Sequence, residues 1–418
     1  MRKFQYILQK LNIGSLALLA SSFQIGIHIF TSLCFVLYIF TSFFLIIISF
    51  LNERKDINNA GTKYSLLWHI SLLALWLLFP LYHFFEDNVT LYHEELLKHV
   101  PLLIIGILGV MQHLLCKKET AFALCSVLWL CRSFIITSVI VHLVILCQTD
   151  WSIICVATRP LNIYNSAREL YFGEYTHFNL CQNMALLSCF YIYRYSEHKL
   201  ERVLSMALVP LVFMATFVSP GRIGVITLMI ICSFYALLMS RGRKRWCLVL
   251  PVVIIANIGA WQLQKQMQKY QRYDRLSTTA IAEEPRFLIW QTTCDLIKER
   301  PQGYGAGDGL LAFYKKAEKE PNLYSSFLFL THPHNSFLLY TLYFGPAGLL
   351  TFILILLLPI IIARNLEHKI LLAFAVFPFA LECCFDVFGI GTPLLLYLIV
   401  VHTLLLSSIG RENNQITS

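Results

Sequence analysis

The uncharged apolar stretches limit this chain more than any other feature. Residues 11–52 contain no Asp, Glu, Lys or Arg, and one bilayer crossing takes only ~20 residues as a helix. A stretch of that length holds two spans, with the break expected near 23–31. Further spans are expected near 64–85, 99–115, 121–147, 178–193, 203–218, 223–240, 247–263, 336–363, 370–388 and 391–408, about twelve in all. Composition agrees: 57% of residues are hydrophobic and 14% charged, where soluble domains carry roughly 45–50% and about 25%. A water-soluble globular protein is excluded, and so is a disordered chain, which tolerates far less apolar surface. The fold class read from this is an all-α integral membrane protein. Residues 1–263 form the first nine spans, 264–333 one large and mostly helical external loop, and 334–418 the last three spans. The first apolar run has no small-residue cleavage site beside it, so it is read as a retained span.

Charge sets the orientation. The net charge of +9 would suit nucleic acid, but in a polytopic chain basic turns have a topological origin. One set of short loops holds Arg2, Lys3 and Lys10, then Arg54, Lys55 and Lys63, Lys117 and Lys118, Arg194, Lys199 and Arg202, the Arg241–Arg245 group, Arg364 and Lys369, and Arg411. The opposite loops are poor in Lys and Arg. Both termini are therefore expected in the cytoplasm, and the loop 264–333 outside. Most of the 13 Cys lie in apolar runs, where Cys acts as a small hydrophobe. Cys155 and Cys294 both fall on the external side, where a disulfide can form, but nothing else in the sequence pairs them.

The external loop has internal order. Acidic Glu283 and Glu284 precede Pro285, a helix start, and Phe287, Trp290, Cys294 and Ile297 then share one helical face. A second helix is expected over 309–320, with Asp308 as its cap, Lys315, Lys316 and Lys319 near its end, and Pro321 as its stop. The intervening Gly303-Tyr-Gly-Ala-Gly-Asp-Gly309 follows a helix instead of a strand and lacks Gly-Lys-Ser/Thr. A tight turn is therefore preferred to a nucleotide cradle.

Three basic groups fall at the external membrane boundary. Arg222 sits at the Ser219-Pro220-Gly221 break between two spans, Arg286 at the start of the loop helix, and His334 where the chain re-enters the membrane. Taken singly, such residues commonly snorkel to lipid headgroups. Together, two guanidinium groups and an imidazole on one face form a site for a diphosphate plus a base.

His334-Asn335, nine residues, Gly345, two residues and Gly348 resemble the signature of the bacterial O-antigen ligase family. Ser219-Pro-Gly-Arg222 is similar to that family's Ser-Arg or Thr-Arg span junction, and Arg286 with Trp290, Pro301 and Gly305 is similar to its loop arginine segment. The resemblance covers about 190–350 and the span layout. It implies a transferase at the outer face of the bacterial inner membrane, whose donor is a glycan on undecaprenyl diphosphate and whose acceptor is the lipid A–core. It implies no cofactor and no metal, and the sequence has no Asp-x-Asp and no nucleotide motif. On this reading His334, Arg222 and Arg286 are catalytic: the arginines hold the diphosphate and His334 takes the proton of the acceptor hydroxyl. Arg272, Asn335 and Asp386 join Arg222 and Arg286 as substrate-binding residues, Asp386 alternatively orienting an imidazole or an arginine, or simply facing water. His332 offers a second imidazole, and the motif spacing favours His334. Arg132, deep in a span, is read first as half of a structural ion pair and second as an acceptor contact. The family includes O-antigen polymerases, so a polymerase is the first alternative. A lipid or polysaccharide transporter is the second, disfavoured because charge is scarce inside the spans and no paired broken helices occur.

Overall fold

The computed structural model of the chain describes residues 2–25, 27–52, 62–115, 120–148, 175–218, 227–232, 285–319, 332–363, 366–387 and 389–416. Among these residues all regular structure is helical. The helices are α1 Arg2–Ile25, α2 His28–Asn52, α3 Thr62–His83, α4 Val89–Lys98, α5 Val100–Leu115, α6 Thr120–Gln148, α7 Tyr175–Tyr195, α8 Lys199–Val218, α9 Pro285–Glu299, α10 Ala306–Ala317, α11 Ser336–Ile362, α12 Leu366–Phe385 and α13 Gly391–Ile416. Five of them are long and apolar enough to cross a membrane, or six if α4 and α5, bent by 46°, make one broken span. The spans expected near 223–240 and 247–263 lie outside the described residues except for the helical turn at 227–232.

Polarity in the bundle is inverted relative to a soluble protein. Ile29, Leu33, Phe40, Ile136, Leu350 and Ile361 face outward, while Asn12, Gln24, His69, His142, Gln182 and His402 are buried. Hydrocarbon around the molecule makes the first arrangement favourable, and bonds inside it satisfy much of the second. Asn12, for example, donates to Thr41 Oγ1 at 3.1 Å and Ser42 Oγ at 2.7 Å, joining α1 to α2. The interior is thus more polar than the sequence reading expected. Arg132 resolves to the first of its two readings: its Nε and Nη2 donate to the two oxygens of Glu201 at 2.7 and 3.1 Å, tying α6 to α8.

The centre is aromatic: Trp68, Phe79, Phe134, Tyr340, Tyr343, Phe344, Phe352, Phe379 and Tyr397 are all fully buried. Through it runs α11, which packs on α3, α12, α9 and α10. Its prolines explain how it binds its neighbours. Pro346 and Pro359 have no N–H to return to the carbonyls of Leu342 and Ile355, four residues earlier. The Leu342 carbonyl accepts instead from Tyr304 N at 2.9 Å, and that of Tyr343 from Gly305 N at 2.8 Å. The Ile355 carbonyl accepts from Trp68 Nε1 at 2.9 Å and Tyr397 Oη at 2.8 Å. Both carbonyls freed by proline in this helix recruit another segment, as apolar surroundings require.

The two loop helices are held the same way. Asp308 does not cap its own helix: the N-cap of α10 is Gly305, and no side chain caps it. The Asp308 carboxylate accepts from Asp87 N and Asn88 N at 3.1 and 3.0 Å, ahead of α4. In exchange, Glu86 accepts from Ala306 N and Gly307 N at 2.9 and 2.7 Å. Burial pushes the Glu86 carboxyl up, and these amides hold it partly in check. The glycine-rich segment is therefore a turn whose amides a protein carboxylate already occupies. Helix α4 was not expected, because its Glu94, Glu95 and Lys98 read as loop. Pro321 lies outside the described residues.

Candidate functional site

The site forms where the start of α11 meets the turn between α12 and α13. Asn335 caps α11: its Oδ1 accepts from Leu338 N at 3.0 Å, the arrangement that satisfies an orphan helix N–H. Its Nδ2 donates to the Cys384 carbonyl at 2.9 Å. Ser336 Oγ donates to the Asp386 carbonyl at 3.1 Å and accepts from Gly389 N at 2.9 Å. Tyr340 Oη donates to the Gly389 carbonyl at 2.5 Å. The amide of Asn335 is thus engaged at both ends as a joint, and the turn after α12 is fixed in register with His334.

On this frame His334 takes φ +48°, a left-handed conformation uncommon outside glycine and found at functional positions. Its Nδ1 meets Asp386 Oδ1 at 3.0 Å. An ionised carboxylate accepts only, so Nδ1 carries the proton, and in the neutral imidazole this leaves the lone pair on Nε2. Burial works against ionisation of Asp386, but His334, the Val387 amide and the Arg286 charge outweigh it and hold the carboxyl below its ordinary value.

Helix α9 covers this pair. Trp290 Nε1 donates to the His334 carbonyl at 3.3 Å, and its ring lies 6.0 Å from that of Phe385. Arg286 stands one turn before Trp290, on the same face, where its charge acts on Asp386 and on Glu382. The covering helix thus carries a guanidinium to the imidazole–carboxylate pair.

His332 belongs elsewhere. Its Nε2 lies 3.4 Å from Glu95 Oε1, and Glu95, fully buried, also accepts from Lys98 Nζ at 2.5 Å and Tyr343 Oη at 3.0 Å. The two imidazoles of His-Pro-His therefore serve different carboxylates. Arg222, Arg272 and Cys155 lie outside the described residues; Cys294 is a free thiol. Two residues near the site were missed in the sequence, Glu95 and Glu382. The second carried a signal: it is a carboxylate within an apolar run, and ionisable groups there are functional candidates by default.

The depressed Asp386 carboxyl carries a pH signature. A group with a lowered folded pKa contributes stability above its unfolded value, about 4, and that contribution disappears as pH falls through the folded value. Asp386→Asn should therefore unfold at a lower temperature than wild type from pH 5 to 8, with the gap closing below about pH 4. Thermal unfolding of the detergent-solubilised protein across this range measures it; a gap that widens in acid would contradict the ionised assignment.

Residues 206–353 match a family model described as O-antigen ligase. That stretch takes in Arg222, Arg286 and the whole segment from His334 to Gly348. No curated protein matches the chain. The resemblance to the O-antigen ligase family holds over this region, and the helices long and apolar enough to cross a membrane fit a multi-pass membrane protein.

Proposed function

We propose that this chain, similar over 206–353 to the O-antigen ligase family, is an inverting O-antigen ligase. It transfers a glycan from undecaprenyl diphosphate to the lipid A–core oligosaccharide at the periplasmic face of the inner membrane, without metal or ATP. The observation that carries this reading is the Asp386–His334 pair, with the helix that bears Arg286 packed beside it through Trp290. Asp386 keeps the proton on Nδ1, so Nε2 accepts the proton of the acceptor hydroxyl. The hydroxyl oxygen bonds to the anomeric carbon as the bond from that carbon to the diphosphate oxygen breaks. Undecaprenyl diphosphate leaves with that electron pair, and its growing charge is met by Arg286 together with Arg222 and Arg272. Asn335 contributes by holding His334 in place. The layout that goes with this function has about twelve spans, both termini in the cytoplasm and the 264–333 loop outside, between span blocks 1–263 and 334–418.

The test is transfer by purified protein with lipid-linked glycan and lipid A–core, without nucleotide and with chelator present. Glycosylated core is expected. If the product is instead a longer lipid-linked glycan, formed with core left untouched, the chain is a polymerase. Vesicle translocation of the lipid-linked glycan without any transfer would make it a transporter.

A further inference from the structure

Glu382 lies one helical turn before Asp386 on α12, and its carbonyl accepts from Asp386 N at 2.8 Å, so the two carboxylates share a face. Only 1% of Glu382 is exposed. Neither carboxylate oxygen has a hydrogen-bond partner among the described residues. Asp386, by contrast, is bonded to His334 and to Val387 N. The charges that act on Glu382 are Asp386, of like sign, and Arg286.

A carboxyl group, charged or neutral, that is taken from water and given no hydrogen-bond partner is costly to bury. Leucine, of similar size, would fill the same space at no such cost. Among the described residues no hydrogen bond repays this side chain, yet it sits one turn from the carboxylate that orients His334. Such a group needs a donor that arrives with the substrate. The diphosphate cannot supply one, being an anion. A sugar ring can, since its hydroxyls are neutral groups that both donate and accept and so suit both oxygens of a buried carboxyl.

We propose that Glu382 is a saccharide-binding residue, accepting hydrogen bonds from hydroxyls of the sugar ring at the reacting centre and so fixing that ring against the His334–Asp386 pair. The ring belongs to the donor or to the acceptor; the chemistry of the contact is the same. The inference rests on the transferase reading above, and its test separates the two. Full-length wild type, Glu382→Leu and Glu382→Gln are compared in thermal unfolding and in transfer kinetics, with donor and acceptor varied independently.

Glu382→Leu is expected to unfold at a higher temperature than wild type, because it removes an unsatisfied buried group. Its kcat/KM is expected to fall roughly ten- to hundredfold, the worth of a hydrogen bond to a charged group. KM should rise for one substrate more than for the other, and that substrate carries the ring. Glu382→Gln, which retains one acceptor oxygen, should lie between the two proteins. A Glu382→Leu protein as active as wild type overturns the proposal. So does one that is less stable, since the carboxylate would then have a structural partner, and so does a loss confined to kcat with both KM values unchanged. A wild-type protein inert in the assay instead sinks the transferase reading.

Discussion

Replacing His334 with alanine should lower glycan transfer by about 10²–10⁴-fold, the contribution of a positioned general base, with little change in donor binding. The geometry makes the expectation specific to one of two neighbouring imidazoles. His334 has Asp386 behind it at 3.0 Å, within the field of Arg286, whereas His332 spends its Nε2 on Glu95. His332→Ala should therefore retain transfer to within about tenfold, the loss expected from one weakened hydrogen bond. His334→Gly gives a sharper form of the test. The backbone at φ +48° suits glycine better than histidine, which offsets part of the stability lost with the Asp386 bond. It leaves a gap beside Asp386 into which free imidazole fits, and added imidazole should restore part of the rate. Transfer at the wild-type rate by His334→Ala, or a loss in His332→Ala as deep as in His334→Ala, would remove His334 from the role of base.

How much of this arrangement could be read from the residues alone depends on the scale of the force behind each feature. The long apolar helices were legible because bilayer insertion acts on ~20 residues together: five or six of the described helices are long and apolar enough to cross a membrane, against the twelve expected along the whole chain. The loop helix from Pro285 was legible for a related reason, since the proline and the Phe287/Trp290/Cys294 face are local signals. Helix α4 was not, because its polar side faces Tyr343 and His332, partners that only tertiary structure supplies. Asp308 misled because a carboxylate at a helix start is usually its cap, and here a reciprocal exchange with Glu86 outcompetes that use. His334 and Asp386 were both singled out, but their pairing spans 52 residues and follows no periodicity. Glu382 was passed over although Arg132 was noticed by the same criterion; one carries an ion-pair partner and the other none among the described residues. The glycines after His334 were recognised only as a pattern, and their physical reason is structural.

That reason yields the other large effect, at Gly345. Here α11 breaks, with φ +59° and ψ −149°, a region essentially closed to any side chain. A Cβ on Gly345 would lie 2.6 Å from the Pro301 carbonyl oxygen and 2.7 Å from the Gln302 carbonyl carbon. These are backbone atoms, so no rotamer change relieves the contact. The turn that would have to withdraw is the one whose Tyr304 and Gly305 amides fill the carbonyls of the kink, and it follows directly on α9. Moving it shifts Trp290 and Arg286 away from His334. Gly345→Ala should therefore cost about 1–3 kcal/mol from the forced backbone and about as much again from overpacking. It should also lower transfer roughly 10²-fold through misplacement of about 1 Å. The matched control is Gly391→Ala, where φ is +61° but nothing lies within 4 Å of the added carbon. That protein should lose the backbone term alone and keep its transfer rate. Thermal unfolding and single-turnover transfer on the two proteins decide the matter: if Gly345→Ala transfers glycan as fast as Gly391→Ala, the kink does not position the covering helix, and Arg286 is held near Asp386 by something other than this joint.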